Sequence, residues 1–207
     1  MLKLDELRPM LLDERPLDLE APGWICEIKF DGYRLLAELD DGVRLITRNG
    51  ADATKWFPEV AASLAKVQDG PYVIDGEVCV LDDRGRSDFN LLHERARRRR
   101  RYAGGPDVVY CVFDLLMNRG VDVTQQPLVK RKAALAKLFK RPLPSIMYVG
   151  HFEGKDAARI FEDAVVPMKL EGLVAKRAAS FYQPGVRSSD WVKVKRKGAV
   201  PAERFKR

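Results

Sequence analysis

Acids and lysines sit inside apolar stretches at four places along this chain. Glu27 and Lys29 lie within residues 24–30, and Asp75 and Glu77 within 72–81. Glu171 lies within 170–176, and Lys193 and Lys195 within 191–195. In each pair the members are two residues apart, so a strand puts them on one face. Burying an unpaired charge is costly, and apolar strands seldom carry such groups without a purpose. Lysines hold phosphates as point charges. Carboxylates hold Mg²⁺, which bridges phosphate oxygens. For any single pair, a sheet face open to water is explanation enough. Four such segments together point to one cleft built for phosphate and metal chemistry.

The elements that must position these groups can be read from periodicity. In residues 24–30, Trp24, Cys26, Ile28 and Phe30 point one way and Glu27 and Lys29 the other. Asp31-Gly32 signals a turn or bulge. Residues 35–39 and 43–47 form a hairpin closed by Asp40-Asp41-Gly42. Residues 72–81, 108–116, 170–176 and 191–195 read as further strands, and 108–116 is apolar enough to be central and buried. Helices are expected at 58–67, 90–101, 128–140 and 156–166, with Pro58 in a first turn. Residues 1–23 read as an irregular lead-in and 198–207 as a tail. Hairpin-like strands mixed with helices give an α+β class, antiparallel β-sheets flanked by helices, in a single domain over 1–207.

The chain has 207 residues and a formal net charge of +7. A basic surplus favours polyanionic partners, because lysine and arginine release counterions from nucleic acid. Residues 95–101 are all arginine except Ala96. Arg97, Arg98, Arg99, Arg100 and Arg101 therefore divide evenly between a DNA-binding patch and a solvated basic helix end. Cys26, Cys79 and Cys111 form no CxxC pair and read as buried thiols in a reducing compartment. His93 and His151 have no ligand partner at metal spacing and read as surface or packing residues. No apolar run reaches membrane-spanning length, and no signal-peptide pattern opens the chain, so a cytoplasmic protein is expected.

Lys29-Phe30-Asp31-Gly32-Tyr33-Arg34 matches the KxDGxR signature of covalent nucleotidyltransferases. Asp75-Gly76-Glu77, Val112-Phe113-Asp114, the segment from Leu170 through Glu171 and Gly172 to Lys176, and Trp191-Val192-Lys193-Val194-Lys195 follow in the family's order. The wording around Lys29, with Thr47-Arg48-Asn49-Gly50, resembles the adenylation domain of ATP-dependent DNA ligases of the bacterial ligase D type. The resemblance covers roughly residues 8 to 197.

It implies the nucleotidyltransferase catalytic-domain fold and a function in DNA repair. Lys29 would attack the α-phosphorus of ATP, with Mg²⁺ or Mn²⁺, to give lysyl-AMP. AMP would pass to the 5′-phosphate of nicked double-stranded DNA, and the 3′-hydroxyl would displace it. By resemblance Glu27 contacts adenine, Glu77 the ribose, and Phe113 stacks on the base. Arg34 and Arg48 hold ribose or phosphate, and Lys193 and Lys195 the α-phosphate. Glu171 is expected at the metal, and Asp75 supports the metal or orients a lysine. Lys176 joins the nucleotide pocket or is a solvated residue, and Trp191 joins it or packs. The resemblance further implies a monomer in the bacterial nucleoid, with other break-repair proteins or domains as partners. The family's oligonucleotide-binding domain after the last lysine motif is expected to be absent here, since ten residues cannot form its barrel. An RNA ligase, a GTP-using capping enzyme and a non-catalytic basic nucleic-acid-binding module are the competing expectations.

Overall fold

The computed structural model describes residues 4–199; residues 1–3 of the lead-in and 200–207 of the tail lie outside the described residues. Two sheets stack face to face. The first contains β1 (Leu11–Asp13), β2 (Trp24–Lys29), β9 (Phe152–Glu153), β10 (Gly172–Arg177) and β11 (Arg187–Lys195), in the order β1-β11-β10-β2-β9. The second contains β3 (Tyr33–Leu39), β4 (Val43–Thr47), β5 (Tyr72–Cys79), β6 (Val109–Asn118) and β7 (Val121–Asp122), in the order β4-β3-β5-β6-β7, and β8 (Ile146–Tyr148) also pairs with β6. Most ladders are antiparallel, as expected, but β1–β11 and β6–β8 are parallel. The lead-in is thus less irregular than its composition suggests, because residues 11–13 add a strand to the edge of β11.

The period-two pattern of β2 sorts its side chains as read. Trp24, Cys26 and Ile28 join the core on the outer face of the first sheet, and Ile25 joins the core between the sheets. Phe30 departs from the expected face and packs between the sheets. The strand ends at Lys29, so the alternation stops before Phe30. Gly32 then brings the start of β3 against β5: a Cβ there would lie 2.0 Å from the Val78 carbonyl oxygen. Asp40-Asp41-Gly42 closes the β3–β4 hairpin, with Leu39 opposite Val43.

The outer face of the second sheet carries Leu35, Ile74, Tyr110 and Val112. These pack with Val60 and Leu64 of α1 (Pro58–Leu64), Leu92 and Ala96 of α2 (Phe89–Arg97), and Leu135 of α3 (Leu128–Leu138). The helices are shorter than the periodicity predicts. For α2 the reason is Arg95. Its guanidinium is fully buried and donates to the carbonyls of Trp56 and Arg100. That folds the chain back, and Arg99 takes a left-handed φ of 50°. Residues 156–166 are not one α-helix. A 3₁₀ turn at Gly154–Asp156, α4 (Ala157–Ile160) and a π-turn at Phe161–Val165 follow one another. All three cysteines are buried thiols. Among the described residues no helix is long and apolar enough to cross a membrane.

Candidate active site between the two sheets

Ile25 and Trp191 of the first sheet share a core with Leu36, Val73, Cys111 and Leu116 of the second, and charged residues line an opening beside it. The opening is a cleft of about 650 Å³ lined by Lys29, Arg34, Arg48, Trp56, Glu77, Glu171, Lys193 and Lys195, among others. A narrower slot of about 60 Å³ lies between Glu27, Lys29, Arg34, Glu77, Phe113, Val174, Lys176 and Trp191. The first sheet supplies Glu27, Lys29, Val174, Lys176, Trp191, Lys193 and Lys195. The second supplies Arg34, Glu77 and Phe113. Charged residues from all four segments therefore meet in the cleft and the slot.

Lys29 ends β2. Its Nζ donates to Glu171 Oε2 at 2.7 Å and to the Phe30 carbonyl at 3.5 Å. Glu171 stands just before β10, where Gly172 permits a very close approach to β11: a Cβ there would lie 2.1 Å from the Val194 carbonyl oxygen. Burial raises the Glu171 carboxyl above the ordinary range, against the pull of Lys29. Glu77, opposite Arg34 in the β3–β5 ladder, is pushed up to about 7. Burial is the main cause; Arg34 and Lys29 oppose it, and Asp75 and Asp31 add to it. A carboxyl poised there can accept or donate a hydrogen bond near neutral pH.

Asp75 does not reach the cleft. Its side chain is wholly buried, and Arg34 Nε and Nη2 donate to its two oxygens at 2.5 and 2.7 Å. Tyr182 Oη donates to the same carboxylate at 2.6 Å and accepts from the Met10 amide. The expectation of Asp75 at the metal is therefore corrected: both oxygens are committed to protein donors, and Asp75 orients Arg34. That pairing outweighs burial, and the Arg34 guanidinium is held even more firmly protonated than usual.

Lys176 is not the solvated residue that one reading allowed. It is 2% exposed, with Nζ 2.7 Å from Glu27 Oε2 and over the rings of Phe113 and Trp191 at 4.3 and 4.2 Å. Burial lowers its ammonium to about 8, against the pull of Glu27. Glu27 is itself buried between Lys176 and Lys132, whose Nζ lies 2.5 Å from Oε1. Burial pushes its carboxyl up, but the two lysines win and hold it below the ordinary range. Trp191 is fully buried and meets Phe113 and Tyr182 edge to face, so it packs as well as lining the slot. Phe113 is 9% exposed, with the Arg34 guanidinium 4.5 Å from its ring centre.

Sequence reasoning missed Lys132 and Tyr182. Lys132 sits among other basic residues of α3 and reads as solvated, yet it donates to the carbonyls of Val149 and Phe113. Only its place on the helical stripe with Leu128 and Leu135 could have flagged it. Arg48 is exposed on the cleft rim. Arg97, Arg98, Arg99, Arg100 and Arg101 are exposed outside the cleft, with Arg99 5.3 Å from the ring of Trp56, a cleft residue. His93 Nδ1 lies 2.6 Å from Tyr33 Oη at the surface.

Among the described residues no three acid, histidine or cysteine side chains cluster as a ready metal site. Glu171 alone, facing a basic cleft, fits the way Mg²⁺ is held, by one or two carboxylates completed by substrate phosphates.

The architecture is that of the covalent nucleotidyltransferases. A mycobacterial DNA ligase D solved with ATP superposes with a TM-score of 0.80 at 33% identity, over 94% of this chain and 62% of that one. The Chlorella virus DNA ligase-adenylate, at 12% identity and TM-score 0.67 over 91% of this chain and 68% of that one, shares the fold. Residues 12–195 match the family described as ATP dependent DNA ligase domain, and the chain belongs to that family. It is 35% identical over 173 residues to the multifunctional non-homologous end joining protein LigD of Pseudomonas aeruginosa, covering 83% of this chain and 20% of that protein. It is 34% identical over 187 residues to the SPbeta prophage-derived DNA ligase-like protein LigB of Bacillus subtilis, covering 90% of this chain and 66% of that protein. The chain thus spans from a fifth to two thirds of these relatives.

Proposed function

We propose that this single domain is the catalytic core of an ATP-dependent DNA ligase that loads AMP onto Lys29 and passes it to the 5′-phosphate of nicked duplex DNA, in double-strand-break repair. The observation that carries this reading is the position of Lys29 Nζ, at the mouth of the slot and beside Glu171, within a cleft that also holds Lys193 and Lys195.

The slot between Phe113 and Val174 takes the adenine, with Glu27 and Lys176 at its polar end. Glu77 bonds the ribose. Lys193 and Lys195 hold the α-phosphate as point charges. Arg34, fixed by Asp75, and Arg48 on the rim bind ribose or phosphate. Lys29 Nζ then bonds to the α-phosphorus through its lone pair as the bond to pyrophosphate breaks, and the amine's proton is lost. A divalent cation, Mg²⁺ or Mn²⁺, on Glu171 would supply charge neutralisation at the phosphates. Holding the partners in line is the larger part of phosphoryl-transfer catalysis. Arg97, Arg98, Arg99, Arg100 and Arg101, beside Trp56, bind DNA phosphates. A monomer that works with other break-repair domains is the assembly this reading implies.

The test is sealing of a nicked duplex with ATP or GTP as the only nucleotide. Joining with ATP, lost in Lys29→Ala, supports the reading. Joining or enzyme labelling with GTP alone points to a capping-type enzyme, and neither nucleotide acting points to a binding module.

A further inference from the structure

The parallel pairing of β1 with β11 slips by several residues between Leu12 and Asp13: Leu12 lies opposite Ser188, and Asp13 opposite Val192. The slip carries the next residue, Glu14, to the end of β11 that bears the two lysines. Glu14 Oε2 lies 2.7 Å from Lys193 Nζ, and Oε1 lies 4.0 Å from Lys195 Nζ. One carboxylate thus spans the pair of cations assigned to the α-phosphate. It is charged in doing so, since Lys193, then Lys195 and Arg187, hold the Glu14 carboxyl below its ordinary range. The Glu14 side chain is 62% exposed, whereas Lys193 and Lys195 are 21% and 29% exposed. The lysines line the cleft, and the acid reaches them from outside it: Glu14 is not among the cleft-lining residues.

We propose that Glu14 is a resident anion on the phosphate seat, a positioning residue that an incoming nucleotide must displace from Lys193 and Lys195. This rests on the assignment of those lysines to the nucleotide phosphate. A carboxylate and a phosphate oxygen compete for the same ammonium protons. An exposed ion pair is weak, so Glu14 leaves readily for water. The displacement costs ATP and AMP alike and adenosine nothing, and the two lysines stay paired when no nucleotide is bound.

The test is a calorimetric titration of the whole chain with ATP, AMP and adenosine, in chelator so that no AMP is transferred. Removing an exposed ion pair of this kind changes affinity by about two- to fivefold. Glu14→Gln is expected to tighten ATP and AMP alike by that factor and to leave adenosine unchanged. Asp13→Asn, the same charge change one residue away, is expected to leave all three affinities as they are. Lys193→Ala separates the two readings. ATP affinity indifferent to Lys193 would overturn the pocket assignment. Affinity that depends on Lys193 but is unchanged or weakened in Glu14→Gln would overturn this proposal alone, as would equal tightening by Asp13→Asn.

Discussion

Glu77 shows how one residue's surroundings set a measurable property. Its ordinary value of 4.5 is pushed to about 7, chiefly by burial. A raised carboxyl binds its proton more tightly folded than unfolded, so stability falls as pH rises between those two values. Glu77→Gln removes that loss. It is expected to gain about 1–3 kcal/mol relative to the parent between pH 4 and pH 8, read by urea unfolding at both. Equal stability changes at both pH values would show that Glu77 is an ordinary carboxylate. Asp75 makes the contrasting case. Asp75→Ala leaves Arg34, 15% exposed, without its partner, and a broken buried pair costs about 3–5 kcal/mol. A loss under about 1 kcal/mol in chemical denaturation would mean that water replaces the carboxylate. The charged lining of the cleft was legible at this scale, because lysines and acids two apart in apolar strands announce a shared face. What was not legible was their partners. Asp75 reads like Glu77 in sequence, and only the fold shows that Arg34 and Tyr182 claim its oxygens. Glu14 and Lys132 sit in segments whose local pattern reads as solvent-facing.

At the scale of elements, strands with clean alternation were found where expected, since period two survives in any sheet. Helix ends were overrun, because charged residues fit a solvated last turn as well as a loop. The end of α2 depends on long-range bonds from Arg95 to Glu59 at 2.9 and 3.0 Å and to the Trp56 carbonyl at 2.7 Å. No local pattern reveals these bonds. The first arginine of the basic run is therefore a structural staple, whereas those after it are exposed. Arg95→Ala is expected to cost about 3–5 kcal/mol, since Glu59 would be left with its side chain only 8% exposed. Replacing any one of Arg97, Arg98 or Arg100 is expected to change stability by under about 0.5 kcal/mol. Thermal or urea unfolding of the two sets compares them directly. Equal costs would erase the distinction between staple and surface charge.

The whole molecule is two sheets that share a core at one end and open into a basic cleft at the other. The formal charge of +7 gives it long-range attraction for a polyanion. The cleft and the arginine run should do different work. Neutralising Arg97 through Arg101 is expected to weaken binding of nicked duplex. The slope of that binding against salt should flatten by up to about 0.9 for each DNA phosphate the run no longer neutralises. AMP labelling from free ATP should stay intact. Loss of labelling together with DNA binding would mean that the run belongs to the nucleotide site. Covalent adenylation of Lys29 is the step on which the proposed function turns. Its most direct test is intact mass followed by peptide mapping after incubation with ATP and Mg²⁺ or Mn²⁺. A single added AMP is expected on the peptide containing Lys29, absent from Lys29→Ala. AMP on another lysine, or an unmodified mass with both metals, would contradict it.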